Sequence, residues 1–295
     1  MMINKKGLVS VIMNCFNGEK YLSHAVKSVL KQNYKNFEVI FWDNQSTDNS
    51  ASIFKSFDDK RLKYFYAKTH TNLYEARNHA IEKSNGEYIA FLDTDDIWEH
   101  DKLSKQLPLF KNNKVGFVYS NYLIFDEIKN RKYQSKNKLF KGEVSANLLK
   151  NYFIGLLTLV IRRSAYENIT EKFDPNLQII GDLDFIYRLS LNWYGDFSTK
   201  NLAICRKHGE NLLFKQSHKN VEELIYFEKK LKKYFDEKNL DGLYELQQHK
   251  FYLSLKENLK QRKYIAAIKN FYKIKSLRFK IKGIILFLLP RSLFK

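Results

Sequence analysis

Short apolar runs alternate with helical segments along the first third of the chain, and this alternation constrains the fold more than any other feature. The runs are 8–13, 37–42, 62–66 and 87–92. Between them, apolar side chains recur three and four residues apart, as Leu22, Val26 and Val29 do. Strands joined by helices usually run in the same direction. The pattern therefore predicts an α/β fold with a mainly parallel, twisted central sheet covered by helices on both faces.

The sequence pattern of the rest of the chain first predicts both strands and helices, and then helices alone. Strands are predicted over 115–119 and 157–161, helices over 144–152 and 181–191, and further helices over 221–238, 240–259 and 264–275. The strand signals end near His208. We therefore expect one α/β domain over residues 1–215, followed by an α-helical C-terminal region over residues 216–295.

Composition is typical of a globular cytoplasmic protein. The 295 residues are 44% apolar, which is enough to bury a large core and excludes a disordered chain. Cys15 and Cys205 are the only cysteines, too few for a disulfide framework, and the first residues lack the apolar segment of a signal peptide. We therefore expect the protein to work in the reducing cytoplasm.

Residues that follow strands are the first candidates for a site, because ligands of an open parallel sheet bind beyond the carboxyl ends of its strands. Asp43 and Asp93 occupy such positions. The segment after the first strand, 14–18, lacks the G-x-G-x-x-G fingerprint, and the chain contains no P-loop motif. These observations argue against a dinucleotide-dependent dehydrogenase and against a P-loop ATPase.

The segment Asp93-Thr94-Asp95-Asp96 places three carboxylates within four residues. Such a cluster is strongly repulsive unless a cation or solvent compensates it, and hard oxygen ligands favour Mg²⁺ or Mn²⁺ completed by phosphate oxygens. The sequence therefore predicts a metal-bridged diphosphate. The alternative is an acidic helix start, with Asp95 or Asp96 capping a helix at Ile97.

Five segments within residues 7–210 match one family pattern in order and spacing. They are the first strand and its loop at 9–17, the helix end at 28–32, the segment 43–48, Ala76-Arg77-Asn78, and the strand with its acidic residues at 86–96. In these features the chain resembles the inverting glycosyltransferases of family 2, which have the GT-A fold. The resemblance implies a transferase of the kind that assembles bacterial surface glycans.

The resemblance also implies roles for the acidic segment. Asp93 and Asp95 would form the D-x-D motif that holds Mn²⁺ or Mg²⁺ on the diphosphate of a nucleotide sugar, with Asp95 as the direct ligand and Thr94 beside the donor. The ion would offset the charge that gathers on the leaving diphosphate. His208, in a segment similar to the family's R-x-H-x-x-N, would ligate the metal or touch the diphosphate.

Five further residues correspond to nucleotide-binding positions of the family. Asp43 and Asn44 would contact the base or ribose, although the family commonly has two acids there, and an Asn amide oxygen can still accept from a uracil N–H. A UDP-sugar is therefore the expected donor. Asn14 and Phe16 lie in the loop where the family usually has Pro-Thr-Tyr. Arg77 would lie beside the nucleotide, with a solvated helix charge as the alternative.

Asp182 is the candidate general base, because 178–189 resembles the family's catalytic segment. At the start of a helix its carboxylate would accept the proton of the acceptor hydroxyl and permit in-line attack with inversion. The alternative assigns Asp182 to helix capping and Asp184 to an ion pair with Arg188 one turn later.

The C-terminal end concentrates the net charge of +19, since residues 258–295 contain eleven Lys and Arg and no Asp or Glu. An apolar stripe at steps of three and four runs through this segment: Ile274, Leu277, Ile281, Ile284 and Leu288. The combination is typical of an interfacial helix. We expect peripheral attachment to the anionic inner face of the cytoplasmic membrane. The alternative is a basic helix packed on its own domain or on a second subunit of a homo-oligomer.

Together these features predict a metal-dependent hexosyltransferase. It would move a sugar from a UDP-sugar to an acceptor hydroxyl during the assembly of surface polysaccharide, lipooligosaccharide or a lipid-linked glycan. One alternative is a sugar-phosphate nucleotidyltransferase, which would need a basic, Gly-rich loop that 14–18 does not supply. The other is a non-catalytic protein that binds nucleic acid through its basic tail. The favoured prediction includes no nucleic-acid partner.

Overall fold

The computed structural model describes residues 5–209, 219–234 and 240–289. These residues form two compact units, one within 1–144 and 153–211 and the other within 145–152 and 212–295. The predicted domain boundary near residue 215 lies outside the described residues and stays a prediction.

Nine strands of the described residues form one sheet. They are β1 (Lys5–Cys15), β2 (Phe37–Asp43), β3 (Leu62–Tyr66), β4 (Gly86–Phe91), β5 (Ile97–Trp98), β6 (Val115–Asp126), β7 (Arg131–Gln134), β8 (Val160–Arg162) and β9 (Tyr194–Lys207). The order is β3-β2-β1-β4-β8-β6-β9-β5, and β7 pairs with β6. The first four strands are parallel to one another, and so are β6 and β9. β8 is antiparallel to both of its neighbours.

The helices of the described residues are mostly short in the first unit and longer in the second. They are α1 (Glu19–Leu30), α2 (Ser50–Lys55), α3 (Leu73–Glu82), α4 (Lys102–Gln106), α5 (Ser145–Lys150), α6 (Arg163–Glu167), α7 (Gly181–Ser190), α8 (Lys219–Leu231), α9 (Leu240–Lys260), α10 (Tyr264–Lys273) and α11 (Leu277–Leu288). Two 3₁₀ turns cover Leu107–Lys111 and Leu156–Thr158.

The predicted α/β class with a mainly parallel sheet is confirmed. Every residue of β2 is buried, as expected for a strand covered on both faces. α1 turns Leu22, Val26 and Val29 into the core, and each of these side chains is fully buried. The spacing that predicted this helix is therefore the spacing that packs it on the sheet.

The second half of the sheet differs from the sequence-based prediction. β9 is fourteen residues long and was not predicted, because its sequence contains Gly195, Asp196 and several polar residues instead of an apolar run. It is parallel to β6, with three irregularities in register. β8 is also shorter than the predicted strand at 157–161, since a 3₁₀ turn occupies 156–158.

The second unit contains α5 and α8 to α11. A small core joins α9, α10 and α11 through the buried side chains of Leu255, Ala267, Ile274, Phe279 and Leu286. Ile274 is fully buried and precedes α11, so its assignment to the apolar stripe of the tail is wrong. No helix in the described ranges is both long and apolar enough to span a bilayer.

Candidate active site

The carboxyl ends of β2, β1 and β4 lie side by side, and the loops that follow these strands meet at one edge of the sheet. Cys15 of β1 is in register with Asp43 of β2, and Ile12 is in register with Phe91 of β4. Because all three strands are parallel, the three loops predicted to carry the site are neighbours, as in other open α/β sheets.

The loop after β1 is fixed by the loops next to it. Asn17 adopts a positive φ of 53°, and its Oδ1 accepts a hydrogen bond from the Thr47 N–H at 2.8 Å. Gly18 begins α1, and a Cβ on it would lie 2.8 Å from Thr94 Oγ1. Thr94, the middle residue of the predicted D-x-D motif, therefore packs against the start of α1.

Asp43 and Asn44, the residues expected at the nucleotide, are buried and hold the surrounding loops. Asp43 Oδ1 accepts from the Ser46 N–H at 2.7 Å, and Oδ2 accepts from the Tyr64 hydroxyl at 2.7 Å. Asn44 Nδ2 donates to the Thr71 carbonyl at 2.7 Å, and its Oδ1 accepts from the Thr71 N–H at 3.2 Å. Direct contact of either side chain with a nucleotide stays a prediction.

Asn14 and Phe16 lie in the same group of loops but differ in exposure. Asn14 is buried, and within the described part of the chain Nδ2 has no hydrogen-bond acceptor. An unsatisfied buried donor costs about 1–3 kcal/mol, so this atom is a candidate for ligand contact. Phe16 is 53% exposed, and its ring centroid lies 4.4 Å from that of His70. The two rings form an aromatic surface beside Asn44, whose carbonyl is 2.8 Å from His70 Nδ1.

Arg77 connects the acidic segment with the candidate base. The residue is 4% exposed, and its Nη2 donates to Asp93 Oδ1 at 2.8 Å. Burial disfavours its charge, but Asp93, Tyr74 and Asp182 together raise the pKa of the Arg77 guanidinium. Asp93 therefore pairs with the guanidinium directly, and Asp182 adds a weaker electrostatic contribution to the same group. The alternative interpretation of Arg77 as a solvated helix charge is wrong.

Asp95 lies against His208. Asp95 Oδ2 and His208 Nε2 are 3.0 Å apart, and the imidazole is nearly buried. Burial and the neighbouring Asp93 raise the pKa of the Asp95 carboxyl, whereas its hydrogen bond to His208 lowers it. The structure therefore brings together two residues that are 113 positions apart in sequence and that were both predicted to bind metal.

The spacing of these two side chains fits a divalent cation. Two ligands at right angles, each about 2.1 Å from one ion, lie about 3.0 Å from each other. The separation of Asp95 Oδ2 and His208 Nε2 has this value. The described residues contain no group of three or more His, Cys, Asp or Glu side chains arranged for a metal. The Asp95 carboxylate and the His208 imidazole are ligand types that a divalent cation accepts, and metal binding by this hydrogen-bonded pair stays a prediction.

Asp96 has a structural role at the end of the acidic segment. Its Oδ1 accepts from the Arg206 N–H at 2.9 Å, and burial together with Asp95 and Asp93 raises the pKa of Asp96 well above its usual value. Ile97 and the next residue form β5, which pairs with β9. The alternative interpretation of this segment as a capped helix start is therefore wrong.

A second group of residues, of which the sequence indicated only the Arg of the R-x-H-x-x-N segment, lies around the Asp95–His208 pair. Arg206 Nε donates to the Asp95 carbonyl at 3.1 Å, and Nη1 pairs with Glu127 Oε1 at 3.0 Å. The hydroxyl of Tyr21 donates to the other Glu127 oxygen at 2.5 Å, and the Tyr21 ring lies 4.9 Å from the His208 ring. Glu127 is 79 positions from Arg206, so no local pattern could have linked them.

Asp182 and Asp184 have different environments on the first turn of α7. Asp182 is half-buried, and its Oδ1 accepts from the Leu183 N–H at 2.9 Å. The N-cap residue of α7 is Ile180, but Asp182 also accepts a first-turn N–H, so its role as the base stays a prediction. Asp184 is completely buried and pairs with Arg188 at 2.6 Å, as the alternative interpretation of this segment predicted. Asp184 is engaged with Arg188, whereas Asp182 is among the groups that raise the pKa of Arg77.

Tyr74 fixes the start of α7 against α3. Its hydroxyl donates to the Ile179 carbonyl at 3.1 Å, and its ring lies beneath the Arg77 guanidinium, 5.3 Å from ring centroid to Cζ. A Cβ on Gly181 would lie only 2.5 Å from a carbon of this ring. Gly181 is the residue where the family usually has Glu, and here it allows the close approach of Tyr74. The sequence alone did not indicate Tyr74.

The sequence model of glycosyl transferase family 2 matches residues 10–170. This stretch is more than half of the 295 residues and contains the loops after β1, β2 and β4. The chain belongs to glycosyl transferase family 2. The predicted family is thereby confirmed, and the match supports neither the nucleotidyltransferase nor the nucleic-acid-binding alternative.

One curated relative of this family 2 chain is UDP-Glc:alpha-D-GlcNAc-diphosphoundecaprenol beta-1,3-glucosyltransferase WfgD of Escherichia coli. The two are 38% identical over 157 residues, which is 53% of this chain. The match spans 61% of the length of WfgD.

Solved structures show the same fold in this family 2 chain. S. aureus TarS 1-349 in complex with UDP-GlcNAc superposes with a TM-score of 0.66 at 19% identity and covers 93% of this chain and 79% of its own. The mannosyltransferase PcManGT from Pyrobaculum calidifontis, in complex with GDP-Man and Mn²⁺, superposes with a TM-score of 0.65 at 14% identity. The match covers 97% of this chain and 82% of the mannosyltransferase. The predicted GT-A fold with C-terminal helices is confirmed.

Proposed function

We propose that this protein is an inverting glycosyltransferase that moves a sugar from a UDP-sugar to an acceptor hydroxyl during the assembly of a surface polysaccharide, lipooligosaccharide or lipid-linked glycan. The observation that supports the proposal is the charge environment of Arg77. Its guanidinium pairs with Asp93 of the acidic segment, and Asp182 also raises its pKa. We propose that the donor's diphosphate and the acceptor's hydroxyl meet beside Arg77.

The choice of a UDP-sugar donor is supported by both the loops and the relatives. WfgD is named for UDP-Glc, and TarS was solved with UDP-GlcNAc. In this chain the buried Nδ2 of Asn14 can donate to a nucleotide, and the exposed ring of Phe16 can stack on a base. Asp43 and Asn44 would keep the loops around that base in place.

The metal proposed for this site is Mn²⁺ or Mg²⁺. Asp95 and His208 would hold it, with Asp93 beside them and diphosphate oxygens completing its coordination. When bound, the cation supplies positive charge to the leaving diphosphate. The Mn²⁺ in the complex of PcManGT supports this choice. Arg77 contributes a permanent positive charge next to Asp93, which favours an anionic ligand.

Asp182 is proposed as the general base. The acceptor oxygen attacks the anomeric carbon from the face opposite the diphosphate, and its proton passes to the Asp182 carboxylate. The bond between the anomeric carbon and the diphosphate oxygen breaks, and its electron pair leaves with the diphosphate. One displacement of this kind inverts the anomeric configuration.

A lipid-linked acceptor and a location on the inner face of the cytoplasmic membrane follow from the same proposal. WfgD is named for an acceptor on diphosphoundecaprenol, which is a membrane lipid. An enzyme that takes its donor from the cytoplasm and its acceptor from a lipid would work at that surface. A homo-oligomer is a separate proposal that the acceptor chemistry does not require.

The test is a screen of nucleotide sugars with Mn²⁺ and with Mg²⁺, followed by nucleotide release and ligand-induced thermal shift. Asp95→Ala should abolish metal-dependent donor binding, and Asp182→Asn should keep donor binding and lose transfer. Asp58→Ala, at an exposed acid outside the site, is the matched control and should behave as wild type. Failure of every UDP-sugar to bind would contradict the proposed donor, and full transfer by Asp182→Asn would contradict the proposed base.

A further inference from the structure

α11 exposes one continuous apolar face. Large side chains on it are exposed by 49–78%: Leu277 73%, Ile281 50%, Ile284 49%, Ile285 50% and Leu288 78%. The opposite side of the helix is buried, at Phe279, Gly283 and Leu286. With about 100° between successive residues, the exposed residues fall within one third of the helix circumference.

α10 carries a second face of the same kind. Tyr264, Ile265, Ile268 and Tyr272 are exposed by 42%, 75%, 45% and 70%. They follow the spacing of one helix face, whereas Ala267 of the same helix is fully buried. Tyr is enriched at membrane interfaces because its ring is apolar and its hydroxyl remains in the polar layer. The two faces together are called the α10–α11 surface below.

Basic side chains flank the α10–α11 surface. On α11, Arg278 and Lys282 lie on one side of the apolar face, and Lys280 lies on the other. On α10, Lys269 and Lys273 follow the exposed residues around the helix and are themselves exposed. Because residues 258–295 contain no acid, none of these cations has a carboxylate within its own segment.

The positive charge around this surface favours an anionic lipid bilayer over a second copy of the chain as its occupant. In a symmetric dimer each copy would bring the same row of cations to the contact, and like charges would face each other. An anionic lipid surface offers the opposite charge together with an apolar layer beneath its headgroups. α11 has twelve residues, far fewer than the roughly twenty needed to span a bilayer, so it can only lie along the surface.

We propose that the α10–α11 surface is a membrane-docking surface for an anionic phospholipid bilayer, with both apolar faces embedded at the headgroup boundary and the flanking Lys and Arg bound to lipid phosphates. The proposal deepens the membrane location given under the proposed function, and it adds α10 to the single stripe visible in the sequence. It does not depend on which sugar is transferred.

The test is cosedimentation of the full-length protein with vesicles of phosphatidylglycerol and phosphatidylcholine, and with vesicles of phosphatidylcholine alone. Wild type should bind the anionic vesicles, and binding should weaken as salt is raised. The double variant Ile284→Glu/Leu288→Glu and the double variant Ile265→Glu/Tyr272→Glu should each bind at least about tenfold more weakly, since each loses two buried apolar groups. Neutralising Arg278, Lys280 and Lys282 to Gln should weaken binding to anionic vesicles by about fivefold per charge.

The matched control is Ile225→Glu on α8, where the replaced side chain is 42% exposed but lies on another helix, and its binding should equal that of wild type. Circular dichroism should show that all variants keep their helices. The proposal is overturned if wild type does not bind anionic vesicles, if both double variants bind as wild type, or if wild type is a dimer that Ile284→Glu/Leu288→Glu dissociates. Donor binding measured without vesicles separates the two proposals, because it should be intact in every surface variant and tests the active site alone.

Discussion

Asp182 and Asp184 both lie on the first turn of α7, and the same substitution, Asp to Asn, can be made at each. Comparing the two variants separates an effect on catalysis from an effect on stability. Asp184 and Arg188 form an ion pair whose side chains are only 1% and 2% exposed, and Arg188 also donates to the carbonyls of Glu171 and Lys172. Asp184→Asn leaves the guanidinium buried without its counter-charge, which costs about 3–5 kcal/mol. In a domain of this size that corresponds to a fall of about 6–20 °C in the midpoint of thermal unfolding. Asp182→Asn changes a half-buried carboxylate that has no buried ion pair like that of Asp184, so it should destabilise less than Asp184→Asn, while kcat falls by about 10²–10⁴.

The assay is a comparison of both variants with wild type by thermal unfolding and by nucleotide release, at a temperature where each is folded. Asp184→Asn should lose stability and keep most of its turnover, and Asp182→Asn should show the reverse, with unchanged donor binding. An unchanged midpoint for Asp184→Asn would refute the argument from the buried ion pair. Wild-type turnover in Asp182→Asn would refute the assignment of the base. The same loss of both properties in both variants would show that α7 is held as one unit and that the two roles are not separate.

Three further predictions concern other parts of the first unit. Burial disfavours the charge of Glu38, but hydrogen bonds from Lys63 and two other donors hold its pKa below the usual value. The contribution of the Glu38 carboxylate to the free energy of unfolding is therefore present above the usual pKa and is lost as pH falls through the lowered pKa. Glu38→Gln should lower the free energy of unfolding by about 2 kcal/mol near neutral pH and by much less near pH 3, as measured by urea unfolding. Gly181→Ala should lower stability by about 1–3 kcal/mol in thermal unfolding, because its Cβ meets the Tyr74 ring, and a wild-type midpoint would contradict that contact. His208→Gln should weaken Mn²⁺ binding by about tenfold or more in calorimetric titration with UDP present, and equal affinity would exclude the imidazole as a ligand.

The first four strands could be predicted from sequence because each is a short apolar run between helical segments. A strand that is buried on both faces of a sheet has such a continuous apolar sequence. β9 could not, although it is the longest strand of the described residues. Its side chains are partly exposed and alternate irregularly, and it is placed in the sheet by parallel pairing with β6, some 80 residues earlier in the chain. Pairing partners at that distance leave no local periodicity to detect.

The candidate site likewise contains residues that could be predicted from the sequence and residues that could not. Asp93, Asp95 and Asp182 were recognisable because each belongs to a short segment with a family pattern. Tyr21 and Glu127 were not recognisable, because they act through Arg206, and Tyr21 lies in a helix and Glu127 in the turn after β6, where neither belongs to a recognised motif. Their importance depends on contacts across 79 to 106 positions, which only the folded chain brings together.

The acidic segment shows how the fold accommodates carboxylates that repel one another. Three neighbouring carboxylates are compensated in three different ways. Asp93 has the permanent charge of Arg77, Asp96 is buried with a pKa raised well above its usual value, and Asp95 is hydrogen-bonded to the imidazole of His208. A guanidinium is always charged and holds a carboxylate in a fixed geometry, whereas an imidazole can also serve as a neutral metal ligand. Asp95 is therefore the acid of the three whose partner can share a cation with it instead of competing with one. This difference in partners, and not the order of the residues in the motif, is the reason that we expect Asp95 to be the direct ligand.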